Sequence, residues 1–143
     1  MKKIILLTFV AVLFSACGDK ITEVTEVVEP FSHSLYVTIR PNEWKMDEDA
    51  TGVYFYREIS EPKLTTEVLE YGIMQAFYRY RLDENDNADR YAPLPYEDYW
   101  IDNYIQHFTV EFSEGLVTLI YKTSLGEGYP PSASYSFLVR FLW

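Results

Sequence analysis

The stretch YIQHFTVEFSEGLVTLIYKT, residues 104–123, decides the fold. Phe108, Val110 and Phe112 recur at period two, with polar side chains between them. Ser113-Glu114-Gly115 interrupts the pattern, and Leu116 to Thr123 resumes it as a second run rich in strand formers. Two alternating runs around a short glycine-containing connection are the mark of a β-hairpin.

The same alternation extends outward in both directions. Leu35, Val37 and Ile39 share one face of a strand that Pro41-Asn42 ends, and Val53-Tyr54-Phe55-Tyr56 reads as a second strand. Ile73 to Leu82 is a third, with Met74, Ala76, Tyr78 and Tyr80 on one side. Tyr135 to Trp143 is the last, with Tyr135, Phe137, Val139, Phe141 and Trp143 together. Thr65 to Tyr71 is the one helix candidate, about two turns long and stopped by Gly72 in the C′ position. Leu125 to Ser134, with two glycines and Pro130-Pro131, is a loop. The expected fold is all-β: an antiparallel β-sandwich of about seven strands over residues 35–143. Aromatic residues make up 17% of the chain, and the alternation turns many of these rings inward, so most of the thirteen tyrosines read as core and edge packers.

Residues 1–34 read differently. Lys2 and Lys3 precede an apolar run, Ile4 to Phe14, broken only by Thr8. That run is too short for a bilayer span, which needs about 20 apolar residues, and it fits the apolar region of a secretory signal peptide. Phe14-Ser15-Ala16-Cys17 resembles the lipobox of bacterial lipoproteins, although Phe stands where Leu is usual. The resemblance implies cleavage after Ala16 and a diacylglyceryl thioether on Cys17. Residues 1–16 are then the signal peptide, and residues 17–34 the lipidated N-terminus and an acidic tether closed by Pro30. The expected location is the cell envelope, on a bacterial membrane and in particular the outer membrane.

Cys17 is the only cysteine, so the domain makes no disulfide and relies on its hydrophobic core. About 125 residues suffice, since chains of this size bury roughly two thirds of their unfolded surface. Removing residues 1–16 takes away two lysines and no acid, which moves the formal charge from −10 to −12. A surface this acidic repels phosphate backbones and excludes nucleic acid as a partner. It also argues against attachment to anionic lipid by charge, leaving the acyl chains to hold the membrane.

The sequence holds little that points to catalysis. His33 falls in the tether, and His107 alternates with Phe108 and so takes the less buried side of its strand. No Ser-His-Asp spacing, glycine-rich phosphate loop or free thiol is present, so a non-enzymatic role without a cofactor is expected. Asp83, Asn85, Asn87 and Asp89 alternate as calcium-loop ligands do, but Ala88 stands where an EF-hand needs glycine and Leu94 where it needs glutamate. This stretch reads as a solvated turn, with no metal. The candidate ligand-binding residues are Tyr91, Tyr96, Tyr99, Trp100 and Tyr104, within 14 residues broken by Pro93 and Pro95. Flat rings exposed on a β-scaffold stack on sugar rings or on a partner's apolar side chains, and Asp98 and Asp102 nearby can accept hydroxyl hydrogen bonds. The competing reading has these rings cap the core.

Trp44, Tyr54-Phe55-Tyr56, Val68 with Gly72, Leu94-Pro95-Tyr96, Phe112 with Gly115, and Tyr135-Ser136-Phe137-Leu138-Val139-Arg140 together resemble a group of small cell-envelope lipoproteins of Bacteroidales-type bacteria. The resemblance covers residues 35–143 and implies a β-sandwich on a lipid tether, with no catalytic residues to carry over. The function expected is a membrane-anchored, non-catalytic binding module for a glycan or an envelope protein. The alternative is a structural accessory subunit of an envelope assembly.

Overall fold

A computed structural model describes residues 32–82, 87–99, 104–125 and 128–143. Its elements, in chain order, are β1 (Ser32–Ile39), β2 (Lys45–Asp49), β3 (Gly52–Ser60), α1 (Thr66–Tyr71), β4 (Ile73–Tyr80), β5 (Arg90–Pro93), β6 (Tyr96–Tyr99), β7 (Ile105–Ser113), β8 (Leu116–Thr123) and β9 (Tyr135–Leu142). A 3₁₀ turn, Pro41–Glu43, links the first two strands. A four-stranded sheet has the order β1-β9-β4-β5, and a five-stranded sheet the order β2-β3-β8-β7-β6. All pairings are antiparallel. The two sheets pack face to face, so the all-β sandwich read from the alternation is the fold.

The strand count is nine among the described residues, against the expected seven or so. The additional strands are short and lie at sheet edges. β2 has the sequence KMDED and is exposed throughout, so it carries no apolar alternation to read. β5 and β6 have four residues each and flank Leu94-Pro95, where the chain passes from one sheet to the other. β1 begins at Ser32, so the strand takes in the last three residues read as tether. Ser32 and Ser34 point out, and His33 points in, its ring stacked on Phe141 at 5.9 Å. No apolar side chain marks these positions.

Each sheet is apolar on the face it turns to the other. Val117, Leu119 and Tyr121 of β8 meet Tyr135, Phe137, Val139 and Phe141 of β9, all at most 4% exposed. Tyr78 of β4 stacks on Phe108 of β7 across the sandwich, with centroids 5.1 Å apart and planes 12° apart. Among the buried polar groups, Tyr135 Oη donates to Gln106 Oε1 at 3.2 Å, while Trp44 Nε1 has no hydrogen-bond partner among the described residues. A buried polar group left unpaired costs about 1–3 kcal/mol.

The central hairpin forms as read. Ser113 pairs with Leu116 across the two-residue loop Glu114-Gly115. Gly115 has φ +72°, a conformation that glycine adopts without steric cost. The 61–65 segment clasps this loop: Gly115 N–H donates to Leu64 O at 2.7 Å, and Glu61 N–H to Gly115 O at 2.9 Å.

The helix candidate forms one and a half turns. Thr65 caps it by accepting from Val68 N–H at 3.4 Å, and Val68 and Leu69 pack on the core. Gly72 does not take the left-handed C′ geometry expected of it, since its φ is −85°. It is needed for close approach instead. A Cβ at this position would stand 2.5 Å from the Val68 carbonyl oxygen and 3.1 Å from that of Leu142. Both obstacles are backbone, so the last turn of α1 would have to open and the chain to draw back from β9. Gly72→Ala should therefore destabilise the domain by about 1–3 kcal/mol, read as a lower urea midpoint at unchanged slope. A midpoint equal to wild type would remove this role.

Candidate functional site

Side chains that alternate with the core residues of the five-stranded sheet form its outer face. On β3, Val53, Phe55 and Ile59 pack inward, leaving Tyr54, Tyr56 and Glu58 outside. On β8 and β7 the outward sets are Thr118, Ile120 and Lys122, and His107, Thr109 and Glu111. Register aligns these sets into rows. Asp47 opposes Tyr54, whose ring lies under Lys122 Nζ at 5.0 Å; Lys122 opposes His107, and His107 opposes Glu97. One row thus crosses all five strands. The next row holds Lys45, Tyr56, Ile120 and Thr109, and the third Glu58, Thr118 and Glu111.

Two adjoining open depressions of about 370 and 490 Å³ lie along these rows and share Glu111, Ile120 and Lys122. The Tyr54 and Tyr56 rings sit side by side, 6.0 Å apart and inclined at 45°. Ion pairs fix the polar groups around them. Lys45 Nζ reaches Glu58 Oε2 at 2.7 Å and lies 5.5 Å above the Tyr56 ring. Lys122 Nζ donates to Asp49 Oδ2 at 2.9 Å and to Thr51 Oγ1 at 3.0 Å. His107 Nδ1 is 3.1 Å from Glu97 Oε1. Glu111 has no ion-pair partner among the described residues. The face therefore offers two ring surfaces, preset cations and an open carboxylate, a donor and acceptor set suited to a hydroxyl-rich ligand.

The electrostatics follow from these contacts. Asp49 is held down at about 2, first by the Thr51 hydroxyl that donates to it and then by Lys122. The Tyr54 hydroxyl is pushed up by burial and by the neighbouring Asp47 carboxylate, to which it donates at 3.3 Å. The Lys45 ammonium is raised by its hydrogen bond to Glu58.

The aromatic tract read as a ligand platform is divided by the fold. Tyr91 lies on the outer face of the four-stranded sheet, opposite Arg79. Tyr96 points into the core, 5.3 Å from Tyr78 and 6.3 Å from Tyr80, and opposes the buried Phe108. Tyr99, 76% exposed, lies on the outer side of the five-stranded sheet. Tyr104 stacks on Tyr129 at 6.0 Å. Trp100 and Asp102 lie outside the described residues, as does Cys17. Tyr91 and Tyr99 thus face away from each other, and Tyr96 takes the core-capping part. The signal that finds Tyr54 and Tyr56 is their alternation with Phe55. Both rings must point out if Phe55 points in, whereas their alignment with Lys122 and Glu111 requires the register.

Three other polar groups have structural partners. His33 Nε2 is 3.0 Å from the buried Glu61 Oε2, and Glu61 Oε1 accepts from Lys63 N–H at 3.1 Å. These contacts pin β1 to the 61–65 segment. Asp83 and Asn85 of the alternating acidic turn lie outside the described residues. Asn87 is exposed. The Asp89 carboxylate is engaged by Arg81 at 3.1 Å and Arg79 at 3.7 Å. Among the described residues, no helix is long and apolar enough to cross a membrane.

The fold and this face define a class: an antiparallel sandwich with an open, polar and aromatic groove on one sheet. No family model, curated protein or solved structure matched the chain.

The Asp49 site carries a pH consequence. A carboxyl held below its ordinary 3.8 contributes stability that is present above that value and lost as pH falls through about 2. Thr51→Val removes the largest cause, so the Asp49 carboxyl should titrate closer to 3.8, followed by its ¹³C shift. An unmoved titration would assign the depression to Lys122 and the Thr51 backbone N–H.

Proposed function

We propose that this chain is a membrane-anchored lipoprotein of the cell envelope, held by lipid on Cys17, whose sandwich is a non-catalytic binding module. The ligand is a glycan segment, taken in the groove on the outer face of the five-stranded sheet. The observation that carries this reading is the paired Tyr54 and Tyr56 rings between Lys45, Lys122 and the carboxylates of Asp47 and Glu111. Sugar recognition needs apolar ring faces for the C–H surface and fixed polar groups for the hydroxyls, and this groove supplies both. Its open shape suits a chain that passes along the sheet rather than a small molecule enclosed on all sides.

The anchor rests on Lys2, Lys3, the Ile4 to Phe14 run and the Phe14-Ser15-Ala16-Cys17 sequence. Two or more acyl chains hold a protein firmly, at about 0.8 kcal/mol per buried CH₂.

The second reading, a structural accessory subunit, is favoured by the β1 edge. β1 is the terminal strand of its sheet, eight residues long, and its sequence SHSLYVTI has no Lys, Asp, Glu or Pro. Edges of this kind accept an added strand, whereas charged edges such as β2 discourage it.

Glycan-array binding by the full chain in detergent separates these readings. Wild type should bind, and Tyr54→Ala and Tyr56→Ala should each lose about tenfold or more, since a stacking ring contributes on the order of 1–3 kcal/mol. Binding that survives both changes but falls with Tyr99→Ala or Trp100→Ala would return the site to residues 91–104. A silent array favours the structural subunit. For the anchor, Cys17→Ala should shift the chain out of the membrane fraction or block its processing, and normal cleavage with full membrane retention would contradict it.

A further inference from the structure

The chain is acidic overall, yet its charges are not evenly spread. The strands of the five-stranded sheet carry seven Asp and Glu residues. Those of the four-stranded sheet carry none, and hold Arg79, Arg90 and Arg140. Of the two outer faces, that of the acid-free sheet is the more apolar. Register places Tyr36, Leu138, Phe77 and Pro93 in a single row across all four strands. Arg140 stands in the row on one side, and Arg79 in the row on the other. Tyr36 is 63% exposed, and beyond the Arg140 row Ile73 and Leu142 are 66% and 43% exposed. The depression on this face, beside Tyr91 and Arg140, has only about 120 Å³. That is well below the roughly 300 Å³ at which small-molecule sites begin. The face is built for a broad surface.

We propose that the outer face of the four-stranded sheet is the surface by which the domain lies on an anionic lipid bilayer. This inference rests on the lipid-anchored reading for proximity. Fourteen residues lie between Cys17 and Ser32, a reach of about 50 Å at full extension, so an anchored domain meets its own bilayer continually. The chain also enters the fold on this sheet, at β1, its edge strand. Exposed aromatic and aliphatic side chains beside Arg140 match the headgroup boundary: the apolar groups sit at the acyl margin and the Arg140 guanidinium reaches the phosphates, while Arg79 shares the Asp89 carboxylate with Arg81. The net negative charge argues against attachment over the surface as a whole, so the docking is local to this face. Packed sheets lie about 10 Å apart, and the screening length at physiological salt is about 8 Å. Acids on the outer side of the five-stranded sheet are therefore largely screened from the bilayer. With the four-stranded sheet down, the Tyr54 and Tyr56 groove faces away from the membrane.

Hydroxyl-radical footprinting of the full chain tests the orientation. The chain is placed on vesicles of phosphatidylcholine alone or mixed with phosphatidylglycerol. On anionic vesicles, modification of Tyr36 and Tyr91 should fall several-fold while that of Tyr54 and Tyr56 stays at the level without vesicles. An arginine near an anionic surface contributes about a fivefold preference, so Arg140→Ser should weaken the docked state about fivefold. High salt should restore labelling in the same way, which covers the case of a poorly folded variant. Equal labelling of Tyr36 and Tyr54 on anionic vesicles overturns the proposal. So does protection of Tyr36 without vesicles, which would assign the face to a protein cover. A chain that fails to float with neutral vesicles but protects Tyr36 on anionic ones would remove the anchor and keep the face.

Discussion

Stacking of the Phe108 ring against the opposite sheet is the contact on which the rest of the domain depends. From β7 it meets Tyr78 of β4 at 5.1 Å, Tyr135 of β9 at 4.9 Å and Phe137 of β9 at 5.8 Å. With no cysteine among residues 32–143, no covalent bond ties the sheets, and ring packing takes that part. Large aromatic side chains suit it, since each buries about 150–250 Å² with few rotatable bonds. The cluster extends through Tyr121, Tyr96 and Trp44, so β2, β6 and the joining turns are held to it at second hand. Burial has a visible electrostatic cost, pushing the Tyr78 hydroxyl up to about 12.

Once the sheets are fixed by these rings, strand alternation leaves two outer faces of opposite chemistry. One is crossed by rows of carboxylates, lysines and tyrosines. The other has an apolar row edged by arginines, on strands without a single acid. Net charge conceals this division, because 15 of the 22 acids lie outside the strands of either sheet. Screening makes each face answer chiefly for its own residues. The proposed groove and the proposed lipid-facing side thus lie on opposite faces of the sandwich.

The hairpin over 105–123 and the β9 strand were legible in the sequence because each buries one face fully, so apolar residues recur at every second position. β2 was not, since every residue of KMDED is exposed. Nor was the start of β1, where His33 takes an inward position and pairs with Glu61, 28 residues away. The tract from Tyr91 to Tyr104 looked like one platform because its rings are close in sequence. The chain changes sheets at Leu94-Pro95, and that single crossing sends Tyr91 and Tyr99 to opposite sides of the sandwich. The groove was only half legible: alternation around Phe55 points Tyr54 and Tyr56 outward, but their alignment with Lys122 and Glu111 comes from pairings between strands up to 73 residues apart.

A double-mutant cycle between Tyr78 and Phe108, each replaced by leucine and followed by urea denaturation, tests most directly whether the ring stack joins the sheets. Leucine keeps most of the apolar area at each position, so the cycle isolates the ring-on-ring term. The geometry predicts a coupling of about 0.5–1.5 kcal/mol, as stacked aromatic pairs give beyond their area. Effects that simply add, within about 0.3 kcal/mol, would mean that the two sheets do not meet through these rings and that the placement of both outer faces has to be found again.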